Sequence, residues 1–179
     1  MVYIILGTGF EEMEAVCPCD MLRRAGVDVQ FAGIGGTLIK GGNGITVQED
    51  CTVEDIDPEK LEMIVPPGGM GGVRSVLGCE TAMKAVQQAY DSGKFVAAIC
   101  AAPTLLDGWG LLEGKKAVCY PTWADRMLDG EYCSGQKVVR DGKIITAQAA
   151  GAAYEFGLAL IEALVDEATA RRVAQEIYL

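Results

Sequence analysis

The sequence predicts an α/β protein with a mostly parallel sheet that is covered by helices on both faces. Short runs of apolar and β-branched residues alternate with helical segments along the chain. The strand-like runs are apolar throughout, as is typical of strands that are buried on both faces. Half of the 179 residues are hydrophobic, and no linker or repeat separates them, so we predict a single domain over residues 1–179.

Each predicted element in the first hundred residues has a local signal. Core strands are predicted at four apolar runs, which are residues 2–6, 27–34, 61–65 and 95–99. Helices are predicted over residues 11–25 and 81–92, because Gly26 and Gly93 stand where a glycine commonly ends a helix. Glycine-rich turns around apolar segments indicate a β-excursion over residues 35–48.

The last part of the chain carries a hairpin signal followed by helices. Two short apolar runs, 138–140 and 143–146, flank an Asp-Gly pair that favours a tight turn between antiparallel strands. A helix is predicted over residues 152–165, and a short one begins near Thr169.

The composition argues against several classes of partner. Asp and Glu number 25 against 15 Lys and Arg, which gives a net charge of -10 with no basic cluster, so nucleic acid is not an expected partner. No apolar run approaches the length of a membrane span, and the first one continues into Glu11 and Glu12. We therefore expect a cytoplasmic protein that binds no membrane.

The seven cysteines fit this compartment, because an odd number at irregular spacings does not form a disulfide framework. Cys17 and Cys19 flank a proline, but the chain contains no histidine to complete a zinc site, so no metal is expected. All cysteines except Cys100 are interpreted as small buried hydrophobic residues.

Three segments with unusual chemistry follow predicted core strands. Residues 7–14 read Gly-Thr-Gly-Phe-Glu-Glu-Met-Glu, residues 66–72 read Pro-Pro-Gly-Gly-Met-Gly-Gly, and Cys100 directly follows the strand at 95–99. In open sheets of this kind, ligands bind beyond the carboxyl ends of the strands. We therefore expect the three segments to converge on one site.

The first two segments each allow more than one interpretation. Residues 7–9 resemble the start of a dinucleotide-binding loop, but Glu12 replaces the third glycine and acidic side chains would repel a pyrophosphate, so no cofactor is expected. Stabilisation of the helix N-terminus explains Glu11 and Glu12, whereas Glu14 is of interest if it points into the crevice. The glycine-rich segment at 68–72 is interpreted as a backbone nest for an anion or an oxyanion, with a flexible loop as the alternative.

Cys100 is the candidate nucleophile, because helix N-terminal amides favour a thiolate at a strand-to-helix junction. Pro103 suits the first turn of that helix. Without histidine, neither a Cys-His dyad nor a Ser-His-Asp triad can form. A neighbouring glutamic acid would instead share one proton with the thiol, and we expect a thiolate beside a protonated carboxyl. A buried thiol without a role is the alternative.

Three motifs together resemble the ThiJ/PfpI superfamily, namely Glu-Glu-Met-Glu at 11–14, Pro-Gly-Gly at 67–69 and Ala-Ile-Cys-Ala-Ala-Pro at 98–103. The resemblance covers nearly the whole chain and is closest to the branch that contains Parkinson disease protein seven and its bacterial relatives. It implies a flavodoxin-like three-layer sandwich and a homodimer.

The resemblance also implies roles for individual residues. Cys100 corresponds to the nucleophilic or oxidisable cysteine, and Glu14 corresponds to the protonated acid. The backbone amides of Gly69 and Ala101 correspond to oxyanion donors. Three further residues are candidates for lining the pocket: Gly68, Tyr120 and Arg24.

The function that the resemblance implies is a cysteine-dependent, cofactor-independent enzyme of the glyoxalase or deglycase type, with a small carbonyl compound or a glycated molecule as substrate. The alternative is a non-enzymatic oxidative-stress sensor or protective chaperone that uses an oxidisable Cys100. Some relatives carry a histidine where this chain has Tyr120, so protease and amidotransferase activities are not expected. Relatives often read Gly-Pro-Gly-Thr at 149–152, where this chain reads Ala-Ala-Gly-Ala, which changes the pocket edge or only a helix cap.

Overall fold

The fold is built around one seven-stranded sheet, and the computed structural model describes residues 1–179. In chain order the helices and strands are β1 (Val2–Leu6), α1 (Glu12–Arg24), β2 (Val29–Gly33), β3 (Leu38–Lys40), β4 (Thr46–Gln48), β5 (Cys51–Thr52), β6 (Met63–Val65), α2 (Met70–Leu77), α3 (Glu80–Asp91), β7 (Phe95–Ile99), α4 (Pro103–Gly108), β8 (Lys116–Ala117), β9 (Glu131–Tyr132), β10 (Val138–Asp141), β11 (Ile144–Ala147), α5 (Ala153–Leu164) and α6 (Glu167–Glu176).

The order of the strands in the main sheet is β10-β11-β7-β6-β1-β2-β5. Every neighbouring pair is parallel except β10 and β11, which form the predicted antiparallel hairpin. Strands β3 and β4 form a separate antiparallel hairpin within the predicted β-excursion, and β8 and β9 form a small parallel pair. The mostly parallel sheet that the sequence predicted is therefore confirmed.

Helices cover both faces of the sheet. One apolar layer joins the sheet to α1, α5 and α6, and the other joins it to α2, α3 and α4. Strand β1 shows the alternation that produces the two layers: Ile4 packs in the first layer and Ile5 in the second, and both are fully buried. The result is the expected three-layer α/β sandwich.

The strand order places the switch point of the sheet at β1. The chain runs from β1 to β2 on one side and only later reaches β6 on the other side. The segments that follow β1, β6 and β7 therefore leave the sheet at the same edge, where open α/β sheets bind ligands.

Helix α2 is the main departure from the predicted elements. The glycine-rich segment that was interpreted as a nest or a loop enters this helix at Met70, so Gly71 and Gly72 are helical. A Cβ atom on Gly71 would lie 2.7 Å from Gly9 Cα, and one on Gly72 would lie 2.7 Å from Phe10 Cα. The first turn of α2 thus packs directly on the backbone that follows β1, which explains why residues unfavourable for a helix occur in one.

Glu12 has a second role besides the expected one at the start of α1. Its carboxylate is 5% exposed and accepts hydrogen bonds from Asn43 N at 2.8 Å, Asn43 Nδ2 at 3.0 Å and Ile45 N at 3.3 Å. Burial acts to raise the pKa of this carboxyl, but the hydrogen bonds outweigh it and lower the pKa below its usual value. Glu12 therefore anchors the β3–β4 hairpin to the start of α1, in addition to lying in the first helical turn.

No helix in this fold is both long enough and apolar enough to cross a bilayer.

Candidate functional site

Cys100 lies in a strained turn between β7 and α4. Its φ is 65°, a left-handed conformation that few residues other than glycine adopt. Two hydrogen bonds hold the turn: Cys100 N donates to Ala147 O at 2.9 Å, and Tyr120 N donates to Cys100 O at 2.7 Å. The cysteine is thus held at the carboxyl edge of the sheet, at the junction that the sequence predicted.

Glu14 lies beside Cys100, because α1 begins at the same edge of the sheet. The side chain is 1% exposed, its Oε2 accepts a hydrogen bond from Gly68 N at 2.9 Å, and the carboxyl interacts with the Cys100 thiol. A Cβ atom on Gly68 would collide with Glu14 Oε2 and lie 2.7 Å from Cys100 Cβ. Gly68 therefore allows the acid and the thiol to approach the same point.

Burial dominates the electrostatics of this pair. Burial, with a contribution from the negative charge of Glu11, raises the pKa of the Glu14 carboxyl to about 7, although hydrogen bonds from Cys100 and Gly68 act to lower it. Burial, together with the charge and hydrogen bond of Glu14, raises the pKa of the Cys100 thiol to about 12. The pair therefore does not lose both protons in the neutral range, because two adjacent anions are disfavoured in a poorly solvated site.

The raised pKa of the Glu14 carboxyl is in the direction expected for a protonated acid, and the thiolate form of Cys100 stays a prediction. Backbone amides of Ala101 and Gly69 act to lower the pKa of the Cys100 thiol, as the sequence analysis anticipated, but burial and Glu14 outweigh them. The two groups therefore compete for a shared proton, and Glu14 can exchange it with the thiol during a reaction.

The backbone on the other side of the thiol supplies the predicted amide donors. Gly69 has a φ of 82° and stands directly before α2, and its carbonyl accepts a hydrogen bond from Val73 N at 2.9 Å. Glu11 N donates to Gly68 O at 3.1 Å. These bonds give the 68–69 segment a defined conformation rather than that of a flexible loop, and they hold the Gly69 amide near the Cys100 sulfur together with the Ala101 amide.

A pocket of about 190 Å³ opens onto Cys100. Seven residues line it: Glu11, Gly69, Met70, Cys100, Ala101, Tyr120 and Trp123. Glu14 and Gly68 lie behind this lining, and both are buried. The site can therefore admit a small molecule to the thiol while it keeps the acid away from water.

The three predicted lining residues differ in their outcome, since Gly68 lies behind the pocket wall and not on it. Tyr120 stands on the pocket wall, as predicted. Arg24 does not line the pocket, since it is the last residue of α1, about 15 Å along the helix axis from Glu14. Its guanidinium is paired with Asp20 at 2.7 Å on the surface.

The pocket has three lining residues that the sequence did not predict, namely Glu11, Met70 and Trp123. Trp123 follows Tyr120 in the 3₁₀ turn Pro121–Arg126, where a proline and a tryptophan close to an aromatic residue were the available signal. Glu11 also caps α1, because its carboxylate accepts a hydrogen bond from Glu14 N at 2.8 Å, which agrees with the helix-stabilising role predicted for it.

Comparisons with known proteins agree with the geometry. A model of the DJ-1/PfpI family matches residues 1–163. The chain is 33% identical to a Parkinson disease protein 7 homolog of Danio rerio over 98% of this chain and 95% of that protein. It is 30% identical to a Caenorhabditis elegans protein named glutathione-independent glyoxalase DJR-1.2, over 86% of this chain and 82% of that protein. The crystal structure of Drosophila melanogaster DJ-1beta superimposes with a TM-score of 0.95 at 32% identity and covers 99% of this chain and 97% of that chain.

Proposed function

Because the chain belongs to the DJ-1/PfpI family, we propose that it is a cofactor-independent enzyme that converts small α-oxoaldehydes into α-hydroxy acids through Cys100. The observation that carries the proposal is the pair formed by buried Glu14 and pocket-lining Cys100 in a chain without histidine. The name of the C. elegans relative, a glutathione-independent glyoxalase, supports the same class of reaction.

The first step is addition of the thiol to the aldehyde. The Glu14 carboxylate accepts the Cys100 proton while sulfur bonds to the aldehyde carbon, and the carbonyl π electrons move to oxygen. The Gly69 and Ala101 amides stabilise this oxyanion. The oxyanion then takes the proton from Glu14, and the product is a hemithioacetal.

The second step moves a proton between neighbouring carbons. Glu14 removes the former aldehyde hydrogen as a proton, and the electron pair shifts toward the adjacent ketone to form an enediolate. The proton of the hydroxyl beside sulfur moves to the oxygen of the former ketone, and Glu14 returns its proton to the neighbouring carbon, which gives an α-hydroxy thioester. Water then hydrolyses the thioester, which releases the α-hydroxy acid and restores the thiol. The oxidation of one carbon balances the reduction of the other, so the sequence requires no external oxidant or reductant. In a glycated amine or thiol, the Cys100 sulfur would instead displace the amine or thiol from the hydroxyl-bearing carbon, and Glu14 would protonate the leaving group, which gives the same hemithioacetal.

The test is lactate formation from methylglyoxal by chelator-treated protein. We expect Cys100→Ser and Glu14→Gln each to lower kcat/KM by at least about 100-fold. Cys133→Ser is the matched control, because Cys133 is half-buried and lies outside the pocket, and it should retain the wild-type rate. The wild-type rate should rise with pH through an apparent pKa of about 7, as Glu14 ionises. Full activity of Cys100→Ser would refute the proposal.

A second candidate function is redox sensing at the same thiol. It is favoured by the pocket, which exposes Cys100 to small oxidants while Cys19 and Cys119 are buried. Peroxide would oxidise the thiol to a sulfinate with release of water, and Glu14 and the amides would hydrogen-bond the new oxygens. Mass spectrometry after mild peroxide treatment should show two added oxygens at Cys100 before any at Cys17 or Cys133. Equal oxidation of the three would contradict a tuned sensor.

A further inference from the structure

Part of the pocket wall is aromatic and apolar. Tyr120, Trp123 and Met70 form it, and Tyr120 and Met70 are 41% and 44% exposed. The pocket measures about 190 Å³. An apolar protein cavity of about 150 Å³ is large enough to bind benzene. The space next to Cys100 is therefore large enough for an aryl group as well as for the reacting carbonyl.

The aromatic wall is fixed relative to the thiol. Tyr120 N donates to Cys100 O at 2.7 Å, and Trp123 N donates to Tyr120 O at 2.8 Å. Two consecutive backbone hydrogen bonds thus link the indole-bearing residue to the nucleophile itself. Arg126 stacks on Trp123, with its guanidinium carbon 4.3 Å from the ring centroid, which further restricts the ring. A ligand ring that packs on this wall would meet a preorganised surface.

The charge of the lining points to an uncharged ligand. Glu11 is the only ionisable side chain of the lining besides Cys100 and Tyr120, and no Lys or Arg lines the pocket. The chain as a whole carries a net charge of -10. A substrate with a carboxylate or phosphate would meet the Glu11 carboxylate and no cation of the lining, because the guanidinium of Arg126 is stacked on the Trp123 ring.

From these contacts we propose that the pocket selects uncharged α-oxoaldehydes that carry an aromatic substituent, with Trp123 as the specificity-determining residue. This inference rests on the thiol addition proposed above. The reaction is the same redox-neutral conversion, in which phenylglyoxal and one water give mandelate.

The selectivity test compares kcat/KM for phenylglyoxal and methylglyoxal in three proteins. We expect Trp123→Ala to lower the phenylglyoxal-to-methylglyoxal ratio by at least about tenfold relative to wild type. Trp109→Ala is the matched control, because it removes the only other tryptophan, which lies outside the pocket, and it should leave the ratio unchanged. Comparing each variant with wild type cancels the difference in intrinsic reactivity between the two aldehydes. A ratio that Trp123→Ala leaves unchanged would overturn the inference.

The charge test uses para-carboxyphenylglyoxal, which adds an anionic group to the same ring. Wild-type kcat/KM for this compound should be at least about tenfold below that for phenylglyoxal. Equal turnover of the two compounds would overturn the assignment of an uncharged substrate.

A binding measurement separates this inference from the proposed function. In Cys100→Ala with Trp109→Phe, Trp123 is the single tryptophan, and acetophenone should quench its fluorescence saturably while benzoate should not. This result without turnover of any aldehyde would refute the enzyme activity and retain the aryl-binding pocket. Absence of acetophenone binding would refute the pocket assignment whether or not methylglyoxal is converted.

Discussion

Three residues form the candidate reactive centre of this molecule. Cys100 adopts a left-handed backbone conformation. Glu14 is buried beside it, and the absence of a side chain at Gly68 allows the carboxyl and the thiol to lie next to each other. The burial that makes Glu14 a base near neutral pH also makes its ionisation costly to the fold. The same residue is thus expected to support the chemistry and to weaken the fold.

Replacement of Glu14 by glutamine should stabilise the fold at neutral and alkaline pH. The carboxyl has a pKa of about 7 in the folded protein against a usual 4.5, so the folded state binds more protons than the unfolded state between these values. Wild-type stability therefore falls as pH rises from 4.5 through 7, whereas glutamine does not titrate. We expect Glu14→Gln to be about 1–3 kcal/mol more stable than wild type near pH 8 and close to wild type near pH 4.

Urea unfolding of the two proteins at both pH values checks this expectation. The matched control is Glu113→Gln at an exposed site, which should change stability by less than about 0.5 kcal/mol at either pH. A wild-type protein that is more stable than Glu14→Gln near pH 8 would contradict the assigned cost of ionisation.

At the scale of elements, α4 connects the nucleophile to the aromatic wall. This helix has six residues and starts three positions after Cys100. Its buried Asp107 accepts hydrogen bonds from Leu128 N at 2.7 Å and Gly130 N at 2.8 Å. The segment that carries Trp123 is therefore held at both of its ends, by Cys100 O through Tyr120 and by Asp107.

Asp107→Ala should loosen this segment. It leaves the amides at 128–130 without their acceptor, which we expect to cost about 1–3 kcal/mol in the free energy of unfolding. Hydrogen exchange of these amides should accelerate, and the selectivity for aryl substrates should fall with it. Asp125→Ala, at an exposed position in the same segment, is the control and should change neither quantity. Unchanged exchange in Asp107→Ala would show that other contacts hold the segment.

At the scale of the whole molecule, one apolar surface remains uncovered beside the site. Met13, Val16, Ile45 and Tyr154 are 53%, 42%, 59% and 47% exposed, and they line a shallow groove between α1, α5 and the β3–β4 hairpin. Exposed apolar patches of this kind commonly mark association surfaces. We propose that a second copy of the chain covers this patch in a two-fold symmetric homodimer.

Light scattering coupled to size exclusion tests the dimer. The wild-type protein should run at twice the chain mass, and Val16→Lys should run as a monomer because a charge would be buried in the interface. Leu128→Lys is the control, since Leu128 is 83% exposed and lies outside the groove, and it should remain dimeric. A monomeric wild type at micromolar concentration would refute the proposal.

The sequence predicted most elements of the fold because their signals are local. Strands β1 and β7 match their apolar runs residue for residue, and α1 and α3 end within two residues of the glycines at 26 and 93. The sequence did not predict helix α2, because its glycines are explained only by close packing on the backbone that follows β1. The short strand β5 likewise depends on pairing with β2, a neighbour that is distant in sequence.

The candidate nucleophile and its acid were predictable from residue type and from their place after core strands, since parallel strands bring their carboxyl ends together. The effect of burial on the pKa values of Cys100 and Glu14 was not predictable, because only the packed structure produces that burial. The same limit applies to Arg24 and Trp123: sequence proximity to a motif does not reveal which side chains face the pocket. Residue type and position in the sequence therefore identified the reacting residues. Only long-range packing determines the burial that shifts their pKa values and the shape of the pocket beside them.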